Sequence, residues 1–255
     1  MSHLPLVSCL MVTANRKALA ARSVRCFEQQ TYPNRELVVI DDGEEDYSGL
    51  FTNLPPSQIR YIRDVPKAQV LGRLRNTALN AARGEYLTQW DDDDWYHPDR
   101  IRIQAGYLQQ GYDACCLGQT LMHLSDPQYR NLPYLGSLPH GVPGSIMHRR
   151  DSAIRYPEFE KAEDTVYLDS WMERRYAKLP DEFSCLFIRC FHGSNTWERE
   201  HFLRRVRNSF PKAVRYYWYA WIIRDLSKHP AFRLTSGCRD AFVQYRTLSE
   251  ELGLF

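Results

Sequence analysis

Two short apolar runs, separated by a helical segment, most constrain the fold of this chain. Apart from Ser8 and Glu36, residues 6–12 and 36–40 are apolar without alternation, which is typical of strands covered on both faces in a parallel sheet. Between them, Leu19, Val24 and Phe27 recur at helical spacing within residues 18–29. Strand, helix and strand in this order form a βαβ unit. The sequence therefore predicts an α/β fold with a mostly parallel, Rossmann-like sheet flanked by helices.

The same patterns predict the elements that follow. We expect strands at residues 59–62, 85–90, 113–122, 145–148 and 183–191, and helices at 72–84, 98–110 and 164–177. Gly84 is the expected C-cap of its helix. Residues 125–145 are rich in Pro, Gly, Ser and Asn and are expected to form one long loop. In the helix at 164–177, four apolar side chains are available for packing: Val166, Leu168, Trp171 and Met172.

Four consecutive aspartates, Asp91, Asp92, Asp93 and Asp94, directly follow the strand predicted at 85–90. Their mutual repulsion is relieved by a cation or by hydrogen-bond donors, and carboxylates suit Mg²⁺ or Mn²⁺. The alternative is a solvated acidic turn that caps the next helix. Ligands of open α/β sheets bind at the carboxyl ends of the strands, so we expect Thr13, Asp42 and these aspartates to share one crevice.

Composition limits the classes of function. The chain has 255 residues, 44% hydrophobic, and a formal charge of +2, which is too small to indicate nucleic acid as a partner. It contains no apolar run long enough to span a membrane and no basic region followed by an apolar signal core. Its seven cysteines include no Cys-x-x-Cys pair and are expected to be reduced core residues. We therefore expect a cytoplasmic protein.

Five motifs in order resemble the inverting family 2 glycosyltransferases, which have the GT-A fold and use nucleotide-sugar donors. They are residues 7–16, Gln30-Thr31-Tyr32-Pro33, residues 36–43, Ala82-Arg83-Gly84-Glu85-Tyr86, and the four aspartates followed by Pro98-Asp99-Arg100. The resemblance implies transfer of a sugar from a nucleoside diphosphate to an acceptor hydroxyl with Mn²⁺ or Mg²⁺. The implied partners are a donor, most simply a UDP-sugar, and a glycan, lipid-linked or small-molecule acceptor.

The resemblance also implies roles for individual residues. The positions that match the family's donor site are Thr13, Asn15, Asp42, Arg75, Asp91 and Asp92. Asp42 corresponds to the acceptor for the nucleobase imide, and Asp91 to the residue beside the ribose. Asp93 in the DXD motif, with the late His192, is the implied metal ligand set.

The same resemblance makes Asp164 the implied general base, with Glu163 in reserve. Acidic residues in a first helical turn also complement the helix macrodipole. One departure concerns residues 12–15, Val-Thr-Ala-Asn, which lack the aromatic that often stacks on the base. The choice among uridine, thymidine and guanosine stays open.

Residues 199–255 are basic, aromatic and helical in pattern. We expect a catalytic domain at 1–198, with a nucleotide-binding half at 1–110 and an acceptor half at 111–198, followed by this helical appendage. The appendage is expected to pack its aromatic residues onto the domain or onto a second copy. One alternative is a helix that docks at the inner face of the membrane, and another is contact with nucleic acid.

Two other functions compete with sugar transfer. A catalytically inactive relative would bind a nucleotide sugar or a glycan without transfer. A nucleotidyltransferase also places aspartates after a strand, but the chain has no Gly-x-x-x-x-Gly-Lys phosphate loop. The presence of both metal carboxylates and a candidate base favours the glycosyltransferase.

Overall fold

The computed structural model describes residues 4–63, 65–66, 69–193, 195, 198–207 and 209–255. Eleven strands and seven α-helices are assigned in these ranges. The strands are β1 Val7–Thr13, β2 Arg35–Asp41, β3 Ile59–Ile62, β4 Tyr86–Gln89, β5 Trp95–Tyr96, β6 Ala114–Leu117, β7 Gln119–Leu124, β8 Tyr134–Ser137, β9 Met147–Arg149, β10 Tyr176–Leu179 and β11 Phe187–Phe191. The helices are α1 Lys17–Glu28, α2 Leu71–Ala81, α3 Arg100–Gln109, α4 Glu163–Trp171, α5 Arg199–Arg204, α6 Phe210–Tyr217 and α7 Ser236–Glu251.

Seven strands form the main sheet in the order β10-β6-β9-β4-β1-β2-β3. The pairs β1–β2, β1–β4, β2–β3 and β6–β10 are parallel, whereas β9 runs antiparallel between β4 and β6. A second sheet has the order β5-β11-β7-β8. The predicted α/β fold with a mostly parallel central sheet is thus confirmed.

Alternate residues of the central strands enter two hydrophobic clusters, one on each face of the main sheet. In β1, Val7, Cys9 and Met11 pack on the face that includes residues of α1, α3 and α7, while Leu10 packs on the face that includes residues of α2 and α4. Strand β2 divides in the same way. Burial on both faces explains why these strands read as continuous apolar runs.

Four predicted elements are wrong in part. The strand expected at 113–122 is two strands, β6 and β7, which belong to different sheets. The loop expected at 125–145 contains β8 and a 3₁₀ turn at Pro143–Ser145. The helix expected at 164–177 ends at Trp171, and residues 176–179 form β10. The strand expected at 183–191 begins only at Phe187, after a 3₁₀ segment at Asp181–Leu186.

Packing corrects two further expectations. Leu168 and Trp171 are buried, but Val166 and Met172 are exposed. Helix α2 ends at Ala81, and its C-cap is Ala82 in an extended conformation, not Gly84. Gly84 has a different role, because a Cβ there would lie 2.6 Å from the Leu6 carbonyl oxygen. The glycine therefore allows the chain to enter β4 against the start of β1.

The last quarter of the chain packs in two places. Helix α7 buries Ala241, Tyr245 and Leu248 in the same cluster as α1, and the Arg22 guanidinium carbon lies 5.0 Å from the Tyr245 ring centre. The segment 202–232 packs on the second sheet. Aromatic packing onto the rest of the chain is therefore present, whereas the domain boundary at residue 198 stays a prediction. Among the described residues, no helix combines the length and apolarity needed to cross a bilayer.

Candidate active site

The four aspartates lie between β4 and β5, at the carboxyl end of the main sheet. Thr13 ends the neighbouring strand β1, and its Oγ1 donates a hydrogen bond of 2.7 Å to Asp92 Oδ2. The backbone N–H of Asp42 donates to the Thr13 carbonyl oxygen at 3.0 Å. The three strand ends therefore meet, as the sequence predicts.

Arg16 bridges two of the aspartates. Its Nη2 lies 2.7 Å from Asp92 Oδ1, and its Nη1 lies 3.2 Å from Asp93 Oδ2. Burial opposes the charge of this guanidinium, but the two carboxylates hold the pKa of Arg16 above its ordinary value. A cation of the protein itself thus occupies the position where sequence reasoning expects relief of the repulsion. The sequence predicts a metal or hydrogen-bond donors at this position, but its pattern does not identify Arg16 as the partner.

The charge is unequally distributed over the cluster. Burial raises the pKa of Asp92, and Arg16 offsets this only in part. Burial and the charge of Asp93 also raise the pKa of Asp94, whose Oδ1 accepts a 2.8 Å hydrogen bond from the Cys190 backbone N–H. Burial disfavours the charge on Asp93 as well, but the His192 hydrogen bond and Arg16 hold the pKa of Asp93 at about 2. Of Asp92, Asp93 and Asp94, it is therefore Asp93 that holds its negative charge most firmly.

Two side chains from the end of β11 converge on the same oxygen. His192 Nε2 lies 3.1 Å from Asp93 Oδ2, and Asn195 Nδ2 donates to that oxygen at 3.2 Å. Asn195 also donates to the Cys190 carbonyl oxygen at 3.0 Å, which holds its amide in place. Ser194, Thr196 and Trp197 of the same segment lie outside the described residues.

Asp93 and His192 fit a divalent cation by the chemistry of their donor atoms, since carboxylates suit Mn²⁺ and Mg²⁺ and neutral imidazole is a common metal ligand. Among the residues the structure describes, no three His, Cys, Asp or Glu side chains are grouped as a metal site. The protein alone thus offers a partial set of ligands. Such a set is usual for Mg²⁺, which is bound by one or two carboxylates together with substrate phosphates.

Arg75 joins two acidic residues that are far apart in sequence. Its Nη2 donates to Asp91 Oδ1 at 2.9 Å, and its Nε donates to Glu163 Oε1 at 3.0 Å. Although burial opposes the charge, Asp91, Tyr156 and Glu163 keep the pKa of Arg75 well above its ordinary value. The guanidinium is therefore committed to an ion-paired triad, which ties the end of β4 to the start of α4.

Asp164 differs from its neighbour Glu163. The Glu163 side chain is 4% exposed and paired with Arg75, and burial raises the pKa of Glu163. Asp164 is only half-buried, and its Oδ1 accepts a 3.3 Å hydrogen bond from the Thr165 hydroxyl. Both residues line the cleft that contains the aspartates. Of the two, Asp164 has the carboxylate that is not tied into an ion pair by Arg75.

Asp42 and Asn15 lie at the edge of the site. The Asp42 Oδ1 atom is buried and accepts no hydrogen bond from the described residues, whereas the preceding Asp41 accepts from the Gly43 N–H and the Tyr61 hydroxyl. An unsatisfied buried acceptor is costly and indicates a missing donor. Asn15 has φ 53°, and its Oδ1 accepts the Glu44 N–H at 2.8 Å. Its side chain therefore braces the loop after β2.

Basic side chains also line this cleft, namely Arg16, Arg75, Lys161 and Arg189. Arg189 and Asn195 are functional candidates that sequence reasoning misses, because nothing in the pattern of β11 distinguishes a residue facing the cleft. The combination of cationic and acidic groups suits a ligand that is itself anionic and is bound with a cation.

A family model described as Glycosyl transferase family 2 matches residues 8–159. Among curated relatives, WcaA of Escherichia coli, a glycosyl transferase named for colanic acid biosynthesis, is 32% identical over 146 residues, covering 52% of each chain. The chain therefore spans about half the length of that relative. An uncharacterized glycosyltransferase of Haemophilus influenzae is 26% identical over 202 residues, which is 73% of this chain and 80% of the relative.

Solved structures with low sequence identity share the fold. S. aureus TarS 1–349 in complex with UDP-GlcNAc superposes with a TM-score of 0.60 at 14% identity, covering 96% of this chain and 82% of that one. The mannosyltransferase PcManGT from Pyrobaculum calidifontis, in complex with GDP-Man and Mn²⁺, gives 0.57 at 16% identity, with 98% and 70% covered. The chain belongs to glycosyl transferase family 2 and has the GT-A fold.

Proposed function

We propose that this chain is an inverting glycosyltransferase, which moves a sugar from a nucleoside diphosphate to an acceptor hydroxyl with the help of a divalent metal. The observation that carries the proposal is the hydrogen-bonded array of Thr13, Asp92, Arg16, Asp93 and His192 at the carboxyl end of the sheet, in a member of this family. Ligands of open α/β sheets bind at this end.

The donor is held by the residues at the ends of β1, β2 and β4. The unsatisfied Asp42 Oδ1 accepts the imide N–H of the base, and Asp91, oriented by Arg75, lies toward the ribose. Thr13 positions Asp92 through its hydrogen bond, and Asn15 holds the loop after β2 in place beside the base. UDP is the proposed nucleotide, supported by TarS with bound UDP. PcManGT with GDP-Man makes GDP the competing choice.

Asp93 and His192 are the residues that would hold Mn²⁺ or Mg²⁺. When bound, the cation neutralises the charge that develops on the departing diphosphate. Arg16 and Arg189 add fixed positive charge to the same part of the cleft, and such preorganised charge stabilises a transition state more than a hydrated ground state. Arg75 contributes indirectly, by orienting Asp91 and Glu163.

The transfer itself needs one proton acceptor on the acceptor side of the sugar. The acceptor oxygen forms a bond to the anomeric carbon as the bond from that carbon to the phosphate oxygen breaks, and the hydroxyl proton passes to Asp164. Attack on the face opposite the leaving group inverts the configuration. Glu163 is unsuited to the role because Arg75 occupies its carboxylate.

We propose that the cleft widens when the donor binds. The cavity among these side chains is about 90 Å³, whereas ligand pockets are about 300–1,000 Å³. Arg16, which crosses the cleft from Asp92 to Asp93, is the side chain whose displacement opens it. We therefore expect Arg16 to move from the aspartates to the diphosphate when the donor binds.

Substitution of the two acidic neighbours in α4 tests the proposal. Asp164→Asn should bind UDP with Mn²⁺ as the wild type does but lower kcat for transfer at least about a hundredfold, the usual contribution of a general base. Measurement requires a screen of UDP-, GDP- and dTDP-sugars for slow hydrolysis, followed by acceptor trials with the active donor. Equal transfer by wild type and Asp164→Asn would overturn the assignment of the base. Nucleotide binding without hydrolysis or transfer of any donor would instead support a non-catalytic sugar-nucleotide-binding relative.

A further inference from the structure

One stretch of the surface is unusually apolar. Of the large apolar side chains that are exposed among the described residues, half lie between positions 210 and 223. We call this surface the aromatic ridge, and its members are Phe210, Val214, Trp218, Trp221 and Ile222, which are 83%, 53%, 54%, 68% and 63% exposed. An exposed apolar patch of this kind indicates an interaction site.

The ridge is a continuous stripe on one side of a helical segment. Helix α6 ends at Tyr217, and a π-helical turn at Trp218–Ile222 follows it directly. Phe210, Val214, Trp218 and Ile222 recur every fourth residue, so they lie along the same face.

The opposite face of this segment is anchored to the protein. Tyr216 is buried against the second sheet and hydrogen-bonds the Tyr129 hydroxyl. Arg207 Nη1 donates to the Tyr217 hydroxyl at 2.7 Å. The exposed stripe is therefore held outward by packing behind it.

Positive charge surrounds the ridge. Between residues 204 and 233 the sequence has eight Lys or Arg residues and a single acidic one, Asp225, although the whole chain has 33 basic and 31 acidic residues. Lys212, Arg215 and Arg224 are exposed, and none of them forms an ion pair within the described part of the chain. The cations nearest the ridge are thus available to an anionic partner.

We propose that the aromatic ridge docks on an anionic lipid bilayer, with its aromatic and aliphatic side chains at the level of the headgroups and its cations on lipid phosphates. Tryptophan together with aliphatic residues on one face and Lys or Arg beside them is the composition of an interfacial helix, and each basic residue near an anionic membrane adds attraction. The docking does not depend on whether the cleft transfers a sugar.

Charge argues against a second copy of the chain as the occupant, and the kind of side chain argues against nucleic acid. In a two-fold dimer through the ridge the same patch meets itself, so the cations of both copies would face each other at a cost in affinity. Single-stranded nucleic acid stacks its bases on aromatic rings, but two members of the stripe, Val214 and Ile222, offer no ring. A bilayer accepts every side chain of the ridge.

Co-sedimentation with vesicles tests the proposal on the full chain. We expect binding to vesicles of phosphatidylglycerol and phosphatidylcholine, much weaker binding to phosphatidylcholine alone, and a blue shift of tryptophan fluorescence on binding. The double variant Trp218→Ser/Trp221→Ser should lose both the binding and the shift. Lys212→Glu/Arg215→Glu should lower partitioning at least about 25-fold, since each lost positive charge costs about fivefold and the two new carboxylates are repelled as well.

Val243→Ser on α7 is the matched control, because Val243 is 62% exposed and lies outside the ridge, and it should bind as the wild type does. Unchanged melting temperatures establish that the variants fold. Vesicle binding that survives both double variants would overturn the proposal. The proposal would also be overturned if the wild type does not bind anionic vesicles but self-associates in sedimentation velocity, while the tryptophan double variant stays monomeric. Binding of a single-stranded oligonucleotide without vesicle binding would contradict it as well.

Discussion

Removal of the Arg75 guanidinium should be one of the most damaging single changes in the chain. Arg75→Met keeps much of the side-chain volume but leaves Asp91 and Glu163 without their partner, and the Glu163 side chain is only 4% exposed. Breaking a buried ion pair costs about 3–5 kcal/mol. We expect the lower end, about 3 kcal/mol, because the Asp91 side chain is 23% exposed and water screens it in part.

In a chain of this length, each kcal/mol lowers the melting temperature by about 2–4 °C, so the expected decrease is about 6–12 °C. Urea denaturation and thermal unfolding followed by circular dichroism measure both quantities. Arg73→Met is the matched control on the same helix, since Arg73 pairs with Glu158 in a bridge that is more than half exposed on both sides, and it should match the wild type. Similar stabilities for the two variants would refute the buried triad, whereas partial recovery in Arg75→Met/Glu163→Gln would support it.

Three further changes test other parts of the structure. Arg16→Gln should increase the thermal stabilisation by Mn²⁺ without nucleotide, because a competing cation leaves Asp92 and Asp93; an unchanged Mn²⁺ titration would contradict this. Gly84→Ala should lower the free energy of unfolding by about 1–3 kcal/mol, because its Cβ would clash with the Leu6 carbonyl oxygen, and a neutral effect in urea would show that the close approach is not needed. Burial lowers the pKa of His148 from 6.5 to about 4. Between these pH values the unfolded state therefore binds more protons than the folded state. The free energy of unfolding should thus fall by about 3 kcal/mol as the pH drops from 6.5 to 4. His148→Gln should flatten this dependence, and an equal slope in the variant would exclude His148 as its source.

The sequence patterns predict the main sheet well because its strands are covered on both faces. Burial of β1 and β2 on both sides favours apolar residues at successive positions, as at Cys9–Met11 and Leu37–Ile40. The same logic fails at 113–122, where the chain changes sheet at Gly118 between β6 and β7. A change of sheet depends on which strands pair, and the local sequence does not record this.

The prediction of one helix over residues 164–177 fails for a related reason. Residues 164–177 are compatible with one amphipathic helix, but Tyr176–Leu179 pairs with β6 in parallel, and tertiary pairing overrides local preference. Val166 and Met172 then remain exposed because the apolar side chains that the shorter helix turns inward are Tyr167, Leu168 and Trp171.

The location of the candidate site could be predicted from the sequence, but the hydrogen bonds and ion pairs within it could not. Strand ends and a run of aspartates indicate where a ligand binds, since the topology brings the ends of β1, β2 and β4 together. The partners Arg16, Asn195 and Glu163 are set by side-chain directions and by contacts between distant segments, such as that of Arg75 with a residue 88 positions away. Periodicity carries no information about such contacts.

Asp93 is the residue that we propose to hold a metal on a nucleoside diphosphate. The most direct measurement is calorimetric titration of UDP, in the presence and absence of Mn²⁺, into the wild type and Asp93→Ala, with Asp169→Ala as the control, whose side chain is 51% exposed. We predict binding that strengthens with Mn²⁺ in the wild type and the control, and loses its Mn²⁺ dependence in Asp93→Ala. Should Asp93→Ala bind UDP as tightly as the wild type, with the same dependence on Mn²⁺, the claim would be wrong.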